Sequence, residues 1–190
     1  MKKLFALFLL FSLKAVAQNS VLHMKDGTIY NGETWFEPDR KEKTVSFYAT
    51  NIGSKKKWKT IKVEDLDYAE VAGYAKFKSF GKRGHFVLAE GNGKWLVSQA
   101  MVETIGHNEF YHYKLQVLDE TYELMDEIIF TRFPSKDKSV TRGLVPDFVR
   151  KYFSDCDQLI ERLNTMNSTD DKNLEICKLL DQPIYINCTK

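Results

Sequence analysis

Between Val21 and Phe133 apolar residues recur in short runs, mostly with period two, and turn-forming residues interrupt them. No helical pattern of about ten residues or more separates these runs, which argues against parallel βαβ units. LHMKDGTIYNGE alternates on both sides of Asp26-Gly27, a dipeptide favoured in tight hairpins. TVSFYATN sets Val45, Phe47 and Ala49 against Thr44, Ser46 and Tyr48. WKTIKV and YAKFKSF follow, and GHFVLAE is joined to KWLVSQAM through Gly91-Asn92-Gly93. FYHYKLQVL and TYELMDEIIF are joined through Asp119-Glu120. About eight short strands with frequent turns predict an antiparallel β-sandwich or barrel-like sheet.

The period then changes. PSKDKSVTRG, residues 134–143, is polar and aperiodic and reads as a linker. In LVPDFVRKYFSDCDQLIERL the residues Val149, Tyr152, Phe153, Cys156, Leu159, Ile160 and Leu163 are spaced by three and four, one face of a helix. Pro146 suits a first helical turn, with Asp147 near its positive end. NTMNST breaks the helix, DDKNLEICKLLD reads as a second, shorter one ended by Pro183, and IYINC as a short final strand. The expected fold is therefore α+β: a β-rich domain over residues 18–133, a linker over 134–143, and a C-terminal helical hairpin and tail over 144–190.

Residues 1–17 are expected to lie outside the fold. Lys2 and Lys3 precede the run Leu4 to Leu13, apolar except at Ser12, and Ala15-Val16-Ala17 offers small residues for cleavage before Gln18. This is the pattern of a secretory signal peptide. The run is too short for a membrane-spanning helix and is followed by Lys14. Removing it leaves 173 residues and takes away three lysines, so 25 Lys+Arg face 26 Asp+Glu and the net charge becomes −1. A balance near neutral gives no global argument for nucleic acid. The expected location is the periplasm, the cell surface or the medium.

An exported chain usually meets an oxidising compartment, so the three cysteines bear on structure. Across an antiparallel helical hairpin, level residues lie equally far from the loop centre. Cys156 and Cys177 satisfy this about the break at residues 165–169, which predicts a structural disulfide between them. Pairing of either with Cys188, or buried apolar thiols, are the other readings. No Cys-x-x-Cys and no histidine in the helical region suggests thiol catalysis.

Little else reads as chemistry. GHNEFYHY contains His107, Glu109 and His112, but neither a zinc-deaminase motif nor His-Glu-x-x-His is complete. GNGKW has Leu88 where a phosphate loop needs its first glycine and Trp95 where it needs a hydroxyl, so a hairpin explains it better. Glu120, Glu123, Asp126 and Glu127 are abundant enough to suggest paired-carboxylate glycoside chemistry, and plain enough to be a solvated strand and turn. Lys55, Lys56 and Lys57, with Trp58 and Lys59, form a basic run that fits an anionic-surface patch or, more simply, a solvated turn. Trp35, Trp58 and Trp95, with nine tyrosines, offer a stacking surface for sugar or peptide, unless they are core and cross-strand pairs. No catalytic, cofactor-binding or metal-binding residue is assigned.

KDGTIYNGE after the signal segment, the YHYKLQVLDETYEL hairpin and VRKYFSDCDQLIERL resemble a loose group of uncharacterised exported Gram-negative bacterial proteins. Their pattern is a β-rich body begun by a Gly-Asp-Thr-Ile-like hairpin, then a helical pair with a cysteine entering the first helix. Here Asp26-Gly27-Thr28-Ile29 replaces that order. The resemblance implies the architecture and brings no activity or functional residue. The expectation is a non-catalytic binding or envelope-associated module with a protein or glycan partner, the alternative being an exported hydrolase acting on glycan or peptide through paired carboxylates.

Overall fold

The computed structural model describes residues 18–35, 44–49, 57–105, 107–133, 138–166 and 172–189. Its strands are β1 (Gln18–Met24), β2 (Ile29–Trp35), β3 (Thr44–Ala49), β4 (Lys57–Lys62), β5 (Leu66–Val71), β6 (Ala75–Phe80), β7 (Arg83–Gly91), β8 (Lys94–Ile105), β9 (Asn108–Asp119), β10 (Leu124–Thr131) and β11 (Ile186–Asn187). The helices are α1 (Ser139–Phe153), α2 (Asp157–Thr165) and α3 (Lys178–Asp181), the last entered from a 3-10 turn at Leu174–Cys177. The fold is α+β, as the alternation and the later helical spacing predict. Instead of two facing sheets, one open sheet runs β10-β9-β8-β7-β6-β5-β1-β2-β3-β4, with all these neighbours antiparallel. The Asn92-Gly93 turn joins β7 to β8 with both residues at positive φ, as a two-residue hairpin with the right twist demands.

Residues paired across strands share a face. Leu22, Ala69, Phe77, Phe86, Ser98, Leu115 and Ile128 therefore form one row across β1 and β5–β10. This inner face is covered in two ways. Over β7–β10 the helices supply Val145, Val149, Phe153, Leu159, Leu163 and Leu179. Over β1–β6 the sheet curls on itself, so that Val45, Phe47 and Ile61 join Leu22, Leu66 and Phe77 in a second core. Between Val87 and Ala89 a bulge shifts the β7–β8 register, so consecutive residues Val87, Leu88 and Ala89 are all buried. β5 carries Asp67, Tyr68 and Glu70 among its apolar residues. That weakens its alternation and hid it among the strand runs.

The C-terminal region departs most from expectation. The apolar stripe faces the core, with Tyr152 and Ile160 partly buried, but it belongs to two helices that break at residues 154–156. The second half of the supposed hairpin is only a 3-10 turn and the single turn of α3. Ser139–Gly143 of the supposed linker is the start of α1, which places Pro146 inside the helix. Proline has no N–H to donate to the carbonyl four residues back, that of Arg142. The Arg142 side chain is fully buried. Its Nε donates to the Lys172 carbonyl at 2.7 Å, and its Nη1 donates to those of Thr131 and Phe133 at 2.9 Å each.

The disulfide joins Cys156 to Cys188, and Cys177 is a buried free thiol. This corrects the expected Cys156–Cys177 pair. Equal height across a hairpin requires two straight helices side by side, and neither the break before α2 nor the short second element provides them. The expected final strand is real and decides the pairing. β6 leaves β7 after Val87, and β11 takes that vacant edge in parallel, with Ile186 beside Ala89 and Asn187 beside Glu90. The Cys188 amide then donates to the Glu90 carbonyl at 2.7 Å. A Cβ on Gly91 would sit 2.7 Å from that of Cys188, so glycine there permits the approach. Cys177 is left in the core, where burial first and Asp181 second push its thiol up to about 11.

Candidate functional site

The outer face of β5–β8 gathers the aromatic and charged side chains. Period two on β6 buries Ala75, Phe77 and Ser79 and turns Lys76, Lys78 and Phe80 outward. Register sets Tyr68 beside Lys78, Glu70 beside Lys76 and Glu90 beside Trp95. Tyr185 reaches the same place from the segment before β11, anchored by its amide on the Tyr74 carbonyl at 2.8 Å. Tyr122 comes from the β9–β10 turn at φ 67°, a left-handed conformation that costs about 1 kcal/mol outside glycine.

Lys76 is the centre of this surface. Its Nζ donates to Glu90 at 3.0 Å and to the Tyr185 hydroxyl at 3.5 Å. It also lies 4.5 Å from the Tyr185 ring centre and 5.5 Å from those of Tyr68 and Trp95. Tyr185 donates its own hydroxyl to Glu90, and burial together with that carboxylate raises the phenol above its ordinary range. Beside this cluster, Trp95, Phe80 and Tyr122 pack edge to face with centroids 5.2–5.8 Å apart. Lys78 pairs with Asp67 at 3.0 Å and lies over Trp95 and Tyr122. On the other side the His23 ring stacks on Tyr68 at 4.2 Å, and its Nε2 is 3.7 Å from Glu70.

Two clefts open here. One, of about 580 Å³, is lined by Tyr68, Tyr74, Lys76, Ile184 and Tyr185. The other, of about 560 Å³, is lined by Asn19, Asn31 and Ala72. Glu70 and Gly73 line both. The turn between them, Ala72-Gly73, holds both residues at positive φ, a strain that alanine tolerates poorly. A lysine already matched to a carboxylate, beside the exposed ring of Tyr74, suits recognition by stacking and hydrogen bonds.

Of the aromatic residues singled out in the sequence, Trp95 belongs to this cluster. Trp35 and Trp58 lie on β2 and β4, toward the other end of the strand order. Lys57 is also on β4, and Lys55 and Lys56 lie outside the described residues. Lys59 sits over the Tyr30 ring and donates to its hydroxyl at 3.1 Å. Asp126 is held below the usual carboxylate range by Tyr152 first and Lys151 second. Glu127 pairs with Lys114 and Gln116. Among the described residues, no group of three or more His, Cys, Asp and Glu is arranged to hold a metal ion. Lys76, Tyr68 and Tyr185 escaped the sequence reading because pairing across strands, not spacing along the chain, unites them. The alternation in YAKFKSF was the one available signal, since it turns two lysines to one side.

His85 is the buried titratable group next to this surface. It is 7% exposed, packs against Phe80 at 5.5 Å, and its Nδ1 has no hydrogen-bond partner among the described residues. Burial first, and the Arg83 charge second, hold it down at about 4. The unfolded chain therefore binds the extra proton first. Stability is unaffected above about pH 6.5, falls as pH drops from there to about 4, and loses about 3 kcal/mol in all. The difference in urea stability between the wild type and His85→Phe should trace this window. A flat difference from pH 7 to 4 would refute it.

Comparison with protein-family models, with curated proteins and with solved structures gave no match.

Proposed function

We propose that the chain is an exported, non-catalytic binding module that recognises an envelope partner through the aromatic outer face of β5–β8. One observation carries this reading. Three stretches distant in sequence, Tyr68–Lys78, Trp95 and Ile184–Tyr185, converge their rings around one lysine–carboxylate pair, beside open clefts. A core does not require an ion pair to be so placed, and a surface serving only solubility does not require the rings. Export is supported by the signal-like leader and by the Cys156–Cys188 disulfide, a bond that persists in oxidising compartments. Among the described residues, no helix is long and apolar enough to cross a membrane.

Site-directed photocrosslinking tests the reading. Benzoylphenylalanine at Tyr74, which is 48% exposed beside the cleft, should give a discrete adduct in envelope extract. The same probe at Val140, 69% exposed on α1, should not. Equal labelling at both positions, or none at either, overturns the proposal. Turnover of glycan or peptide that is abolished by Glu70→Gln would replace it with the hydrolase reading.

A further inference from the structure

We propose that the two clefts form one continuous subsite row for a neutral oligosaccharide, an assignment that rests on the binding-module reading above. The first ground is shape. The clefts share Glu70 and Gly73, so they adjoin at the Ala72-Gly73 turn. Each lies within the roughly 300–1,000 Å³ typical of small-ligand sites, and together they make a track for a linear ligand longer than one ring.

The second ground is chemistry. Tyr68, Tyr74 and Tyr185 line one end. The C–H face of a pyranose packs on an exposed ring such as that of Tyr74, while its hydroxyls need acceptors and donors at the rim. Glu70, Asn19 and Asn31 provide both kinds along the remaining length.

The third ground is charge. Lys76 is matched to Glu90 at 3.0 Å, and Glu70 adds a second carboxylate at the lip. Among the described residues the cleft thus has no cation left unmatched for phosphate, sulfate or an acidic chain. An extended peptide added as a strand is also disfavoured. β1 and β5 are interior strands with neighbours on both sides, so their backbone is already paired. The ligand is then read by side chains and turn backbone without strand addition, which suits a sugar polymer.

Titration of the full chain with cellotetraose and chitotetraose, each beside its disaccharide, and with a heparin tetrasaccharide, tests this by calorimetry. A neutral tetrasaccharide should bind about tenfold or more tightly than its disaccharide. Tyr74→Ala should weaken both, whereas Asn31→Ala should erase the advantage of the longer chain. Heparin should not compete. The inference is overturned if neither neutral tetrasaccharide binds, if disaccharide and tetrasaccharide bind equally, or if heparin binds the same face. Those outcomes, with the Tyr74 crosslink still present, would sink the sugar assignment and spare the binding module. Loss of the crosslink would sink the module itself.

Discussion

Arg142→Ala should lower stability by about 3–5 kcal/mol, seen as a lower urea midpoint with an unchanged slope. Three carbonyls accept hydrogen bonds from this one guanidinium, two at the end of the β10 edge and one in the segment leading to Leu174–Cys177. Removing it takes a donor from each of them, the Thr131 carbonyl in a buried bond, and opens a cavity where the side chain is fully enclosed. Arg142→Met would refill much of the volume and still lose the donors. It should therefore recover less than half of the loss. Arg142→Lys should also fall short, because a point ammonium cannot span sites that a planar fork reaches from Nε and Nη1. A loss under 1 kcal/mol for all three variants would show that the carbonyls find other donors.

The second large effect concerns the disulfide. Cys156→Ser combined with Cys188→Ser should cost about 3–4 kcal/mol, because the bond closes a separation of 32 residues in the unfolded chain. Under denaturing conditions without reductant, one thiol should alkylate, and peptide mapping should place the label on Cys177. With reductant all three should alkylate. Label on Cys188 without reductant would restore the Cys156–Cys177 pairing and remove the tie between β11 and α2. Cys177→Ala should leave the bond intact and cost only the packing of a buried thiol.

These two features show where sequence reasoning reached its limit. The stripe Val149, Phe153, Cys156, Leu159 and Leu163 was legible because helical burial has a local period, and all five residues are buried. The breaking of that stripe into two helices was not, because Ser154-Asp155-Cys156 forms no strong stop signal. There the Asp155 carboxylate takes a hydrogen bond from Asn92 of the β7–β8 hairpin, and Cys156 meets Cys188. Both are contacts between segments far apart in the chain. Arg142 looked like one polar residue in a polar stretch, and only the convergence of three chain segments makes it a core residue.

The strands tell the same story. LHMKDGTIYNGE, the TVSFYA part of TVSFYATN and the Asn92-Gly93 hairpin are strands and turns as alternation and turn chemistry predict, since both are set by neighbours in sequence. The choice of one curled sheet over two facing ones depends on which strands become neighbours. β5 pairs with β1 on the side away from β2, β3 and β4, and the β1–β5 ladder together with the burial of Phe47 with Leu22 and Phe77 rewards that arrangement.

Local order, then, was written in the chain: antiparallel strands, a later helical stripe, and a final strand at IYINC. These follow from backbone periodicity and from turn residues, whose energies involve a few adjacent positions. Which cysteines bond, what buries an arginine, and which tyrosines surround Lys76 were decided by tertiary structure. Those contacts carry no period, because their free energy comes from surfaces that meet only after the sheet has curled and the C-terminal strand has found the open edge of β7.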